Sequence, residues 1–177
     1  YVKKYQPGAT VPLYFSAVLD RKPESYGSFH GNTQLADAKE SKGTGAGMYF
    51  TFSNEQQEAV TAKIGLSYTS VENARINLQA EAEGKTFEDA KEQAHQIWQE
   101  YLGRIEVETS KREDKVKFYT GLYHALLGRG LANDVNGAYP RNDGSVGQLP
   151  MKEGKPQYNV YNTDAAWGAQ WNLSQLW

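Results

Sequence analysis

The side chains best suited to chemistry in this sequence are Asp164, Trp167 and Trp171. They lie within the twenty residues Tyr158–Trp177, which also carry Tyr158, Tyr161 and Trp177. Flat aromatic faces stack on the C–H faces of a sugar ring, and Asn, Asp and Gln give its hydroxyls fixed polar partners. Trp167 and Trp171, four residues apart, share one face of a helix, and Asn162-Thr163-Asp164 reads as the start of that helix. A plainer role stands beside each. Asp164 also suits a helix N-terminus, where a carboxylate offsets the dipole. The two indoles also suit a helix core, and Trp177 reads as core. No Gly, Asn or Pro closes the predicted helix at Trp177, so the stretch reads as a piece of a larger carbohydrate-active protein. Asp164, Trp167 and Trp171 are its candidate substrate-binding residues.

Other chemistry-bearing patterns point to structure. Asp134-Val135-Asn136-Gly137 and Asn142-Asp143-Gly144 are rich in oxygen, yet neither completes the alternating ligand pattern of a calcium loop with a closing Glu. Both read as turns. His30, His95 and His124 share no ligand spacing. Glu106 and Glu108 alternate along an extended segment, the pattern of a solvated strand face rather than an acid/base pair. Asn172-Leu173-Ser174 matches a glycosylation sequon but falls inside the predicted helix.

Composition narrows the classes further. With 177 residues, 39% hydrophobic and 23% charged, the chain has an ordinary globular make-up. A net charge of -2 leaves no basic stripe for nucleic acid. No apolar run is long enough to span a bilayer. The absence of cysteine removes disulfides, zinc–thiolate sites and cysteine nucleophiles. Twelve Tyr and four Trp suit a sugar binder.

The elements that must hold these residues fall into two halves. Residues 1–69 read as strands: Leu13, Phe15, Ala17 and Leu19 alternate with Tyr14, Ser16 and Val18, as do Met48, Phe50 and Phe52 with Tyr49 and Thr51. Val60, Ala62, Ile64, Leu66 and Tyr68 give the cleanest alternation. Residues 20–46 read as a long polar surface connection with one weak strand. From Ser70, which caps a first helix through Val71, Ala74 and Leu78, the period becomes helical. Thr86-Phe87-Glu88-Asp89 matches a capping box, followed by an apolar face through Ala90, Ile97, Trp98 and Tyr101. A third helix spans about Lys111–Leu127, with Phe118, Tyr119, Leu122, Tyr123, Leu126 and Leu127 inward. Three good strands cannot close a sandwich, and these helices are too few to bury their own faces. The expected class is therefore α+β, with both halves incomplete.

Several segments, taken in order, resemble the glycoside hydrolase family 92 enzymes, which are calcium-dependent exo-acting α-mannosidases. They are Ala62-Lys63-Ile64-Gly65-Leu66-Ser67-Tyr68-Thr69-Ser70-Val71-Glu72-Asn73-Ala74-Arg75, then Trp98 with Leu102-Gly103-Arg104-Ile105-Glu106-Val107. Phe118-Tyr119-Thr120-Gly121-Leu122-Tyr123-His124-Ala125-Leu126-Leu127, Asp134-Val135-Asn136-Gly137-Ala138-Tyr139 and Tyr161-Asn162-Thr163 complete the set. The resemblance implies the end of a β-sandwich over residues 1–82, a linker helix over 83–110 and the first helices of an (α/α)6 barrel over 111–177. Glu72, Asn73 and Arg75 are then expected to pin the sandwich to the linker helices through hydrogen bonds.

The same resemblance implies an inverting hydrolysis of terminal α-linked mannose, in which a Glu acid and an Asp base flank the scissile bond. Those carboxylates and the calcium ligands match positions beyond Trp177, so no catalytic acid or base and no complete calcium site are expected within these residues. Many members carry Trp-Asp after Tyr-Asn-Thr, with an Arg three residues beyond the Asp. Here Trp167 is kept, Gly168 replaces the Asp and Trp171 stands at the Arg position. Gly supplies no acceptor and Trp only one donor, which leaves Asp164 to compensate. The implied partners are α-mannoside glycans and the remainder of the same protein, in an extracytoplasmic setting. A non-catalytic carbohydrate-binding or scaffold piece is the alternative.

Overall fold

The computed structural model describes residues 2–3, 10–53, 58–127, 130–161 and 176. Asp164, Trp167, Trp171 and the predicted fourth helix lie outside the described residues. In chain order the elements are β1 (Val2–Lys3), β2 (Thr10–Val11), β3 (Tyr14–Leu19), β4 (Ser25–His30), β5 (Thr33–Ala36), β6 (Ala46–Thr51) and β7 (Ala62–Ser67). They continue with α1 (Val71–Ala82), α2 (Phe87–Leu102), α3 (Arg112–Leu126), β8 (Ala138–Pro140), β9 (Val146–Gln148), β10 (Met151–Lys152) and β11 (Lys155–Pro156). The class is α+β, as the sequence periods require. The chain forms two compact units, one of Ala17–Lys63 and one of Tyr1–Ser16 with Ile64–Trp177.

The smaller unit is built on β4, which lies between β5 and β6 in an antiparallel sheet of order β5-β4-β6. Two strands therefore occupy the stretch that reads from sequence as a surface connection with one weak strand. The reason is chemical. The middle of β4 is Gly27 and Ser28, both buried, and a Cβ on Gly27 would sit 2.5 Å from the Tyr49 hydroxyl across the β4–β6 pair. Small residues under a cross-strand ring carry no apolar alternation to detect. The two-residue loop Gly31-Asn32 joining β4 to β5 is the local signal that was available.

In the larger unit, α1 begins where expected, with the Ser70 hydroxyl accepting from the Asn73 amide at 2.9 Å. The capping box of α2 is complete: the Asp89 amide donates to Thr86 Oγ1 at 3.1 Å, and the Thr86 amide donates to Asp89 Oδ2 at 2.8 Å. α2 meets α3 through the Trp98 and Tyr123 rings, 4.5 Å apart at their centroids. The Tyr119 hydroxyl adds a bond to the Ile105 carbonyl at 3.0 Å. Of the α3 side chains expected inward, Leu122 is buried, whereas Phe118, Tyr123 and Leu127 are exposed.

β7 is the strand on which the candidate site is built. Its period is as read, but its burial is reversed: Ile64 is 59% and Leu66 53% exposed, while Gly65 and Ser67 face inward. The inward face meets α1. A Cβ on Gly65 would lie 2.2 Å from the Ala74 carbonyl oxygen and 2.7 Å from Leu78 Cβ, so only glycine lets the helix come this close. Ala74 and Leu78 are buried by that approach. Phe15, Phe50, Phe87 and Ile97 are exposed in the same way, apolar surface that no described layer of its own unit covers.

Gly65→Ala in the intact protein is expected to cost about 1–3 kcal/mol in urea unfolding, the usual range for overpacking against backbone. A variant as stable as the parent would contradict the close packing of α1 on β7.

Candidate functional site

The site grows from the end of β7. The turn Ser67–Ser70, the inner face of α1 and the segment 131–138 converge on the Asp134 carboxylate, which is 3% exposed. Its Oδ2 accepts from the Ser67 hydroxyl at 3.0 Å and from the Thr69 hydroxyl, and its Oδ1 accepts from Asn77 Nδ2 at 2.7 Å. Asn77 Nδ2 also donates to the Leu66 carbonyl at 2.8 Å, and its Oδ1 accepts from the Val135 amide at 3.0 Å. The amide side chain is thus used at both ends, which fixes which end is oxygen. Ser67 Oγ accepts in turn from the Thr69 amide at 2.9 Å. Buried polar groups need such partners, and among the described residues no buried side-chain nitrogen or oxygen lacks one.

A second layer surrounds this core. Asn73 donates to Thr69 Oγ1 at 2.7 Å and accepts from Asn136 Nδ2 at 2.9 Å. Asn136 Oδ1 accepts from the Ala138 amide at 3.1 Å, closing a turn in which Gly137 has φ +83. Asn133, 7% exposed, accepts from the Val160 amide at 2.7 Å, and its Nδ2 reaches the Asn159 side-chain oxygen at 3.4 Å. The Ala132 amide donates to the Val160 carbonyl at 2.8 Å, and Leu131 bridges Tyr161. A cleft of about 320 Å³ opens beside the network, lined by Ile64, Leu66, Asn77, Glu81, Leu131 and Asp134 among others.

Of the residues singled out from sequence as pins to the linker helix, Asn73 bonds Thr69 and Asn136 rather than any residue of 83–110. Glu72 and Arg75 instead pair with each other on the surface at 2.6 Å, where an ion pair adds little. Asn142-Asp143-Gly144 is a turn: Asp143 accepts from the Ser145 hydroxyl at 2.7 Å and its amide at 2.9 Å. Those bonds, the hydroxyl's first, hold the Asp143 carboxyl below its ordinary 3.8. Their contribution is complete above 3.8 and is lost as pH falls through the lower folded value. Asp134-Val135-Asn136-Gly137 is also a turn, but its carboxylate and amide anchor the whole site. Asn77 and Asn133 carry no local sequence signal, because their partners lie 57 and 27 residues away in sequence.

The described residues do not fit a calcium site. Calcium needs six to eight oxygen ligands, yet the buried carboxylate of Asp134 is occupied by hydroxyl and amide donors. No group of three His, Cys, Asp or Glu among the described residues could hold a metal. Asp164, Trp167 and Trp171 lie outside the described residues. Among the described residues, no helix is long and apolar enough to cross a membrane.

Comparison with known proteins places this arrangement. Residues 1–67 match the glycosyl hydrolase family 92 N-terminal domain and residues 73–177 its catalytic domain. The chain belongs to glycosyl hydrolase family 92. Ser67 and Asn73, both in the network, are the residues at which the two matches end and begin. Among solved structures, the family 92 glycosyl hydrolase ccman5 is similar with TM-score 0.74 and 26% identity, over 88% of this chain and 20% of that one. A family GH92 inverting mannosidase from Bacteroides thetaiotaomicron VPI-5482 is similar with TM-score 0.72 and 26% identity, over 88% of this chain and 21% of that one. A family GH92 α-mannosidase from Bacteroides thetaiotaomicron shares the fold at TM-score 0.68 and 22% identity, over 84% of this chain and 20% of that one. The chain spans about a fifth of the length of these structures. No curated protein matches.

Asp134→Ala strands buried donors on Ser67, Thr69 and Asn77, and should destabilise the intact protein by at least about 2 kcal/mol. In a double-mutant cycle with Asn77→Ala, urea unfolding should show a coupling of about 0.5–3 kcal/mol. Strict additivity would mean that the two side chains do not share the bond.

Proposed function

We propose that the chain is part of a glycoside hydrolase that removes terminal α-linked mannose with inversion and requires calcium. The observation that carries this is the pair of domain matches, N-terminal then catalytic, in the family's order across the chain. Support comes from two similar structures, an inverting mannosidase and an α-mannosidase in complex with mannoimidazole. On this reading residues 1–82 end a sandwich domain, 83–110 form the linker and 111–177 begin an (α/α)6 barrel. Asp164, Trp167 and Trp171 contact the sugar. The acid, the base and the calcium ligands lie outside these residues. The partners are α-mannoside glycans and the remainder of the same protein, which covers the apolar faces of Phe15, Ile64, Leu66 and Phe50. The setting is extracytoplasmic.

Inversion has a geometric requirement. The acid protonates the leaving oxygen while the base activates a water on the opposite face of the ring, so water attacks as the bond breaks. The first product of an α-mannoside is then β-mannose.

The intact protein should release β-mannose first from α-linked mannobiosides, seen by proton NMR before mutarotation, and should lose activity on chelation. α-Mannose as first product would refute inversion, and activity untouched by chelator would refute the calcium requirement. No hydrolysis of any α-mannobioside would leave the non-catalytic sugar-binding alternative.

A further inference from the structure

We infer that Asn136-Gly137 is a spontaneous modification site, a deamidating pair that the folded turn beside Asp134 holds shut and that local opening frees. The inference goes beyond the glycosidase reading and does not rest on it. Of the asparagines in the sequence, Asn136 alone precedes a glycine. Such a pair reacts without an enzyme. The Gly137 backbone nitrogen gives its proton to a base and attacks Asn136 Cγ. A C–N bond forms there, the Cγ–Nδ2 bond breaks, and ammonia leaves with the proton, so that a cyclic succinimide remains. Water then adds to one of its two carbonyls. Cleavage at Cγ gives an aspartate, and cleavage at the backbone carbonyl gives an isoaspartate whose chain runs through the side chain. Glycine favours the attack because no side chain shields its nitrogen.

The turn needs both members of this pair. Gly137 has φ +83, a conformation that residues with a Cβ rarely adopt. A Cβ there would also lie 2.7 Å from Met151 Sδ and 2.8 Å from Gln148 Nε2. Asn136 uses both ends of its amide: Oδ1 accepts from the Ala138 amide at 3.1 Å, and Nδ2 donates to Asn73 Oδ1 at 2.9 Å. An ionised aspartate in its place has no donor for Asn73. Packing therefore fixes a reactive dipeptide at this point of the fold.

The same contacts keep it from reacting. The attacking nitrogen is engaged, since the Gly137 amide donates to the Asp134 carbonyl at 2.8 Å, and the residue is buried away from base. The leaving amide is tied to Asn73 on α1 and the acceptor oxygen to Ala138. Backbone on either side is held as well, by Gln148 Nε2 on the Asn136 carbonyl at 2.7 Å and the Leu149 amide on the Gly137 carbonyl at 2.9 Å. Attack thus requires the turn to open and release three bonds. At about a fivefold equilibrium factor for each bond, the open form is held to roughly one molecule in a hundred. Reaction is one-way. The new carboxylate faces Asn73 Oδ1 without a proton to share, and an isoaspartate lengthens the backbone of the turn.

The test incubates the intact protein in mildly alkaline buffer, well below its melting temperature, and follows Asn136 by peptide mapping with mass spectrometry. Native protein should deamidate there on the order of 100-fold more slowly than the same chain unfolded in guanidinium chloride. Asn73→Ala removes one of the three bonds and should speed the native reaction about fivefold. Asn73→Asp keeps an acceptor for Nδ2 and should restore much of the protection. Thr86→Ala, which opens the exposed capping box of α2, should leave the rate at the parent value. Should Asn73→Ala not fold, the native-to-unfolded ratio of the parent protein decides. Equal rates in native and unfolded protein, an unreactive unfolded chain, or a parent rate in folded Asn73→Ala would each overturn the inference.

Discussion

Taking a carboxylate out of water is costly unless hydrogen bonds replace the lost hydration. Asp134 is buried, and among the described residues its replacement for water is a set of three neutral donors, Ser67, Thr69 and Asn77. None of the donors is local. Ser67 ends β7, Thr69 lies in the turn after it and Asn77 sits on the inner face of α1, so the carboxylate can be satisfied only when strand, turn, helix and the 131–136 segment are all in place. Gly65 makes the arrangement possible by letting α1 lie against β7. The energetic consequence is a strong penalty on any alternative placement of the segment that carries Asp134, rather than a large favourable term. Because Asn133 is the next residue, the same penalty constrains Asn159 and Val160.

Local signals in the sequence were sufficient for the helices. Ser70 and Thr86 are caps, and both hold the amides that capping chemistry predicts. The alternation of Ala62, Ile64 and Leu66 identified β7 correctly. β4 and β5 were not legible because their strand character comes from Gly27 under the Tyr49 ring and from polar Ser25, Ser28 and Thr33, not from apolar alternation. Nor does periodicity say which face a layer covers, and Ile64 and Leu66 proved exposed although they form the apolar face.

The site was legible in a different way. Asp134-Val135-Asn136-Gly137 was visible as a turn, but its joining to Asn73 and Asn77 at one buried carboxylate depends on contacts tens of residues apart that no local pattern encodes. Family membership adds the larger frame: the network spans the join between the N-terminal and catalytic matches, at Ser67 and Asn73. The proposed hydrolysis of α-mannosides then needs two things of this region. It must fix the join, and it must present the Tyr158–Tyr161 stretch in one place. A single buried cluster bonds to both, with polar side chains where a core would ordinarily be apolar.

The most direct test of this account is native-state hydrogen exchange on the intact protein, read at the amides of Val135 and Val160. Both donate to side chains of the cluster, to Asn77 and Asn133 respectively. If the cluster is a fixed joint, both amides exchange only through the large opening that also releases α1. Exchange of either at the rate of a solvated loop, while the amides of α1 remain protected, would show that Asp134 and its partners hold nothing in place.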